Sequence, residues 1–95
     1  MPATDQLIVI CYDVSSNKAR RRLAKRLEKV AVRVQESVFE ARMQTTKAHR
    51  VGETLAKLLG PCDSLRFYTV GRAGLAASRA WGAVPMAGGD DFWVM

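Results

Sequence analysis

The sequence is poor in the residues that most metal and nucleophile sites need. His49 is the single histidine, and Cys11 and Cys62 are the only cysteines. No CxxC pair occurs, so neither a zinc site nor a disulfide framework is expected. One histidine also leaves no Ser-His-Asp set. Acids number 9 against 15 Lys and Arg, and no second acid is clustered with Asp13 to make an in-chain two-metal site. No apolar run approaches the roughly 20 residues needed to span a bilayer. The opening "MPATDQ" lacks a basic segment followed by an apolar one, so it does not read as a secretory signal. A cytoplasmic, non-membrane protein is the expectation. The glycines near Gly71 and Gly74 match no phosphate-loop pattern, and there are no internal repeats.

What remains is a short, basic and moderately apolar chain. Its 95 residues are one domain's worth, and 48% hydrophobic content suffices for one core. The net charge of +6 and a pI near 9.9 point to a polyanionic partner, nucleic acid before an anionic membrane.

Hydrophobic periodicity predicts the elements. Leu7 to Tyr12 is a continuous apolar run rich in β-branched residues, the pattern of a buried central strand. Ser15, Ser16 and Asn17 offer helix caps. From Lys18 the period becomes helical, with Leu23, Ala24, Leu27, Val30 and Ala31 on one face and Lys18, Arg21, Arg22, Lys25 and Lys29 on the other. Arg20 is the exception, because it projects onto the apolar face, toward the end of the first strand. Val32 to Met43 changes phase at Glu36. This is either one bulged strand or a hairpin turning near Glu36-Ser37, and no Gly, Pro or Asn marks the turn. Thr45 or Thr46 would cap a second helix with Ala48, Val51, Leu55, Leu58 and Leu59 inside, ended by Gly60-Pro61. His49 falls off that face. Ser64 to Val70 is a further strand. Residues 1–72 thus read as one compact α+β domain, an antiparallel sheet with two helices on one face. With the hairpin it has the β-α-β-β-α-β, ferredoxin-like order. Residues 73–95 read as an Ala/Gly-rich arm, too weakly patterned for a helix, closing in a short strand at "DFWVM".

The chemistry concentrates at the first strand's end. Asp13 is a lone carboxylate there, either a turn residue of "DVSSN" or an oxygen ligand for a hard cation such as Mg²⁺. One Asp per chain is thin for a metal; a twofold axis would supply a second. Arginines crowd the next helix start, where the macrodipole favours acids by roughly 0.3–1 kcal/mol each. Arg20, facing inward, needs a carboxylate or phosphate, and Asp13 is the candidate partner. The outer stripe of Lys18, Arg21, Arg22 and Lys25 is either a solvated face or a phosphate track. Tyr12 reads as a core aromatic with a satisfied hydroxyl. Phe39 either stacks on a base or fills the core.

Three stretches, "YDVSSNKARRRLAKRLE", "RVQESVFEARM" and "SLRFYTV", together resemble the small CRISPR-associated Cas-two endonuclease family from about Leu7 to Val70. The resemblance implies a ferredoxin-like homodimer and settles the Glu36 ambiguity as a hairpin. It implies that Asp13 faces its twin across the dimer axis as the Mg²⁺ ligand. It places Arg20, Arg22, Arg33 and Phe39, with Tyr12 beside Asp13, on positions linked to activity. Such proteins are metal-dependent nucleases on RNA or double-stranded DNA, and they bridge Cas-one integrase dimers during spacer acquisition. Two other functions stay in view. One is a non-catalytic DNA-bridging adaptor of that integrase. The other is a toxin-like ribonuclease of the related virulence-associated protein D type. The long Ala/Gly arm departs from the family pattern.

Overall fold

A computed structural model describes residues 5–71 and 77–82. The elements run β1 (Gln6–Asp13), α1 (Asn17–Leu27), β2 (Val32–Gln35), β3 (Val38–Met43), α2 (Thr45–Ala56), β4 (Ser64–Val70) and β5 (Arg79–Gly82). The five strands form one sheet in the order β2-β3-β1-β4-β5, with every neighbouring pair antiparallel. The first four strands and two helices have the predicted ferredoxin-like arrangement. The phase change at Glu36 is a hairpin turn at residues 36–37, with a register shift between Arg33 and Gln35.

The pleat decides which side chains meet the helices. Ile8, Ile10 and Tyr12 of β1, Phe39 and Ala41 of β3, and Leu65 and Phe67 of β4 are buried. They pack with Leu23, Ala24 and Leu27 of α1 and with Ala48 and Leu55 of α2. Each large aliphatic or aromatic side chain so buried contributes about 1.5–3 kcal/mol. Alternation sends Leu7, Val9 and Cys11 to the other face, beside Val38, Arg66 and Tyr68, and all six are only half-buried. Burial still pushes the Cys11 thiol pKa up, opposed by Arg66. Val32 and Val34 alternate as a strand should but lie on the sheet edge, 69% and 48% exposed.

Two expectations are corrected. Helix α2 starts from Gln44, whose side chain makes no cap bond, and Thr45 and Thr46 fall inside its first turn. The stretch read as a patternless arm contains β5, paired with the first half of β4 from Ser64↔Gly82 to Phe67↔Arg79. Trp81 of β5 then turns its ring onto Phe67, with centroids 5.3 Å apart and edge-on, and toward His49. Gly52 of α2 makes room for that ring: a Cβ there would collide with it. At Gly82, φ is +110°, a conformation that favours glycine. The "DFWVM" strand lies outside the described residues.

Candidate nucleic-acid and metal site

Strand β1 ends at Asp13, exposed, with its register partner Ser64 on β4. The chain then turns through Val14 and Ser15, and Ser16 caps α1 by accepting from the Ala19 N–H at 3.2 Å. No acid stands in the first turn of α1, whereas Lys25 and Arg26 occupy the last. The C-terminal cations suit the macrodipole; Lys18, Arg20 and Arg21 near the start oppose it.

These elements enclose an open cavity of about 840 Å³. Tyr12 and Asp13 form one wall and Lys18, Arg20, Arg21, Arg22 and Lys25 another, with Arg33 from β2 closing the side. Six cations therefore face three carboxylates, Asp13, Glu28 and Glu36, and the hollow is net positive. The predicted site residues come together here, with one exception.

That exception is Phe39. It is 0% exposed, stacked on Tyr12 with centroids 6.3 Å apart, and the Arg33 guanidinium lies 5.5 Å above its ring. Its face is already used, so of the two readings the structure gives the core one. Arg33 is held in turn by the Glu36 carbonyl, which accepts from its Nε at 3.1 Å and Nη2 at 2.6 Å. A 3.7 Å ion pair with Glu28 adds little at this exposure. The Tyr12 hydroxyl donates to the same Glu36 carbonyl at 3.3 Å, so Tyr12 is the satisfied core aromatic expected. Burial pushes its pKa up, with the nearby Arg33 pulling the other way.

Arg20 also differs from expectation. It faces inward, but its Nη1 donates to the carbonyls of Val14 at 2.7 Å and Ser15 at 3.3 Å, not to Asp13. The loop backbone folds over α1 and reaches the guanidinium first. Among the described residues no donor bonds the Asp13 carboxylate, and no group of three His, Cys, Asp or Glu side chains gathers. Asp13 thus offers one exposed carboxylate, donor chemistry that suits a hard, water-retaining divalent cation.

Sequence reading missed Asp63, which is 4% exposed. Its carboxylate accepts from the Gly60 N–H at 2.7 Å and from the N–H and hydroxyl of Ser15 at 3.1 and 3.3 Å. These bonds hold its pKa below the usual carboxylate range, the Gly60 N–H contributing most. "GPCD" marks a turn, but nothing local reveals a partner 48 positions away.

A family model described as CRISPR associated protein Cas2 matches residues 6–76. The chain is 36% identical over 81 residues to a Synechocystis sp. protein named CRISPR-associated endoribonuclease Cas2 3, covering 84% of this chain and 88% of that protein. It is 31% identical over 85 residues to a Mycobacterium tuberculosis protein named CRISPR-associated endoribonuclease Cas2, covering 90% of this chain and 74% of that one. Among solved structures it resembles a hypothetical protein from Thermus thermophilus, with a TM-score of 0.66, 30% identity, and 72% of this chain and 84% of that chain covered. It also resembles Streptococcus pyogenes Cas2, with a TM-score of 0.62, 30% identity, and 68% and 86% covered.

Proposed function

The chain belongs to the CRISPR-associated Cas2 family, and from that membership we propose that it is a metal-dependent endonuclease of RNA or double-stranded DNA, acting as a homodimer. The observation that carries this reading is the hollow itself, which places the strand-end Asp13 among six cationic side chains. Relatives in Synechocystis and Mycobacterium tuberculosis are named endoribonucleases, which favours RNA as the first substrate to test.

Each group has a physical task. Lys18, Arg21, Arg22 and Lys25 are exposed along α1 and grip phosphates, releasing counterions as they do so. Asp13 would hold Mg²⁺ or a similar cation. When bound, such an ion supplies an activated water and neutralises charge developing on the phosphodiester. Arg20, bonded to the loop after Asp13, keeps that loop against α1. Tyr12 and Arg33 share the Glu36 carbonyl and shape the wall of the hollow. One carboxylate per chain leaves the ion short of protein ligands, and a twin Asp13 across a twofold axis would make up the second. The helix-free sheet face supports that dimer, since Leu7, Val9, Cys11, Val38 and Tyr68 are only half-buried there and a second sheet would cover them.

A second reading is a DNA-bridging adaptor of the Cas-one integrase in spacer acquisition, without cleavage. The excess of cations over acids in the hollow favours it, because that surface binds phosphates whether or not Asp13 does chemistry. A cleavage assay on RNA and on duplex DNA, with and without Mg²⁺, separates the two. Cleavage by the wild type that needs Mg²⁺ and is lost in Asp13→Asn, with binding retained, is expected. Asp13→Asn cleaving like the wild type overturns Asp13 as the metal ligand of that cleavage, and binding without cleavage by either protein overturns the nuclease reading and favours the adaptor.

A further inference from the structure

The peptide group joining Val14 to Ser15 lies immediately beyond Asp13 and is gripped at both ends. Its carbonyl accepts from Arg20 Nη1 at 2.7 Å, and its N–H donates to Asp63 Oδ1 at 3.1 Å. A guanidinium on the oxygen and a carboxylate on the N–H polarise one peptide in the same sense, so each bond strengthens the other. The Ser15 hydroxyl donates to the same Asp63 oxygen at 3.3 Å, and Arg20 Nη1 also reaches the Ser15 carbonyl at 3.3 Å.

Asp63 is itself firmly seated. Its Oδ2 accepts from the Gly60 N–H at 2.7 Å, and its own N–H returns a bond to the Gly60 carbonyl at 3.2 Å. Behind it the Gly82 backbone packs so closely on the Asp63 carbonyl that a Cβ on that glycine would collide with it. Closing the Gly60–Asp63 turn needs only the bonds to Gly60. The bonds to Ser15, reaching 48 positions back along the chain, serve the loop after Asp13.

We propose that Asp63 is a positioning residue of the Asp13 site: with Arg20 it forms an ion pair bridged by the Val14–Ser15 peptide, and this clamp fixes the backbone that presents Asp13. The proposal rests on the reading of Asp13 as the acid of the site. It also explains how an arginine is tolerated on the inner face of α1. Arg20 has a counter-charge, but one peptide group lies between them.

The test is Asp63→Asn in the full chain, which keeps the side chain's size but puts an amino group where an acceptor stood. Displacing the Asp13 backbone should lower kcat on the order of 10- to 100-fold. KM should change less than about threefold, because the phosphate-gripping cations of α1 are untouched. Arg20→Ala should lower kcat similarly, and the double variant should be no worse than the poorer single one. A merely structural role would lower the melting temperature of each variant, leave kcat of the folded protein unchanged well below melting, and give additive effects; that pattern overturns the proposal. A second measurement needs no variant and no cleavage. Amide hydrogen exchange of wild-type Ser15, a surface loop residue, should be slowed on the order of 100-fold by the bond to Asp63. Exchange at the unprotected rate overturns the clamp. If the wild type fails to cleave while Ser15 is protected, and Arg20→Ala removes the protection, the clamp stands and the nuclease reading falls.

Discussion

Gly52→Ala is a substitution for which helix propensity and tertiary packing give opposite signs. Gly52 lies inside α2, where Ala is favoured over Gly by about 1 kcal/mol in an exposed helix. Here, however, a Cβ would sit 2.7 and 2.8 Å from Cζ2 and Cζ3 of Trp81, and closer still to Cη2. The indole has little freedom to retreat, since its ring packs edge-on against Phe67 at 5.3 Å and its Nε1 donates to Glu53 at 3.4 Å. Expelling it would lose about 0.5–1.5 kcal/mol of aromatic packing. The indole hydrogen bond is worth a further 0.5–1.5 or so, and half-burial of the ring about 1 kcal/mol. Set against the helix gain, the net expectation is destabilisation by about 1–3 kcal/mol, the ordinary cost of overpacking. In a Trp81→Ala background the same substitution should stabilise by about 0.5–1 kcal/mol, because only the backbone effect remains. Urea unfolding of the four proteins at 25 °C measures both signs from the midpoints, with slopes unchanged. If Gly52→Ala stabilises the wild type, Trp81 is not seated on α2 and the packing of β5 described here is wrong.

Phe39→Ala should cost about 3–5 kcal/mol of stability, as for other fully buried Phe residues. Nucleic-acid affinity of the folded protein should stay nearly constant; a base-stacking role would instead lower affinity by about 1–3 kcal/mol with little effect on the urea midpoint. Asp63 makes acid stability testable. Its folded pKa lies below the unfolded value of about 3.9, so its contribution is fully present above that value and is lost as pH falls through the folded one. The gap in urea midpoint between wild type and Asp63→Asn should therefore be wide at pH 7 and narrower at pH 3, and an equal gap at both would refute the assignment. Replacing Arg21, Arg22 and Lys25 with Glu should weaken binding to all sequences alike and flatten the salt dependence of the affinity between roughly 50 and 200 mM. An unchanged salt slope would make that face of α1 merely solvated.

Much of this was readable locally. The continuous apolar run of β1, the helical period of α1 with its basic outer face, and the alternation of β4 each depend on residues a few positions apart. Asp13 stood out for the same reason, a carboxylate where an apolar strand meets an arginine-rich helix start. The hairpin at Glu36 was only half-legible. Its turn carries no Gly, Pro or Asn, and the structure holds it through Tyr12 and Arg33, both bonded to the Glu36 carbonyl. The start of α2 falls one or two residues before the expected cap, because Thr45 and Thr46 are better capping residues than Gln44, whose side chain makes no cap bond.

The sequence by itself determined the periodicities, the placement of cations around a single strand-end acid, and the succession of strands and helices up to β4, apart from the hairpin at Glu36. All of these follow from side-chain chemistry repeated at the pitch of a strand or helix. Tertiary structure decided the rest. It made a strand of Arg79–Gly82, whose four residues have no pattern of their own and become extended because β4 offers an unpaired edge and Gly52 leaves room for Trp81. It put Arg33 over Phe39, closing a ring that could otherwise have met a base. It gave Arg20 the carbonyls of Val14 and Ser15, with Asp63 on the far side of their shared peptide, rather than Asp13. Several of these contacts join residues tens of positions apart, Asp63 and Ser15 being 48 apart. They form only when the packed core has already met the entropy cost of closing the loops between them, and no local pattern reports that balance.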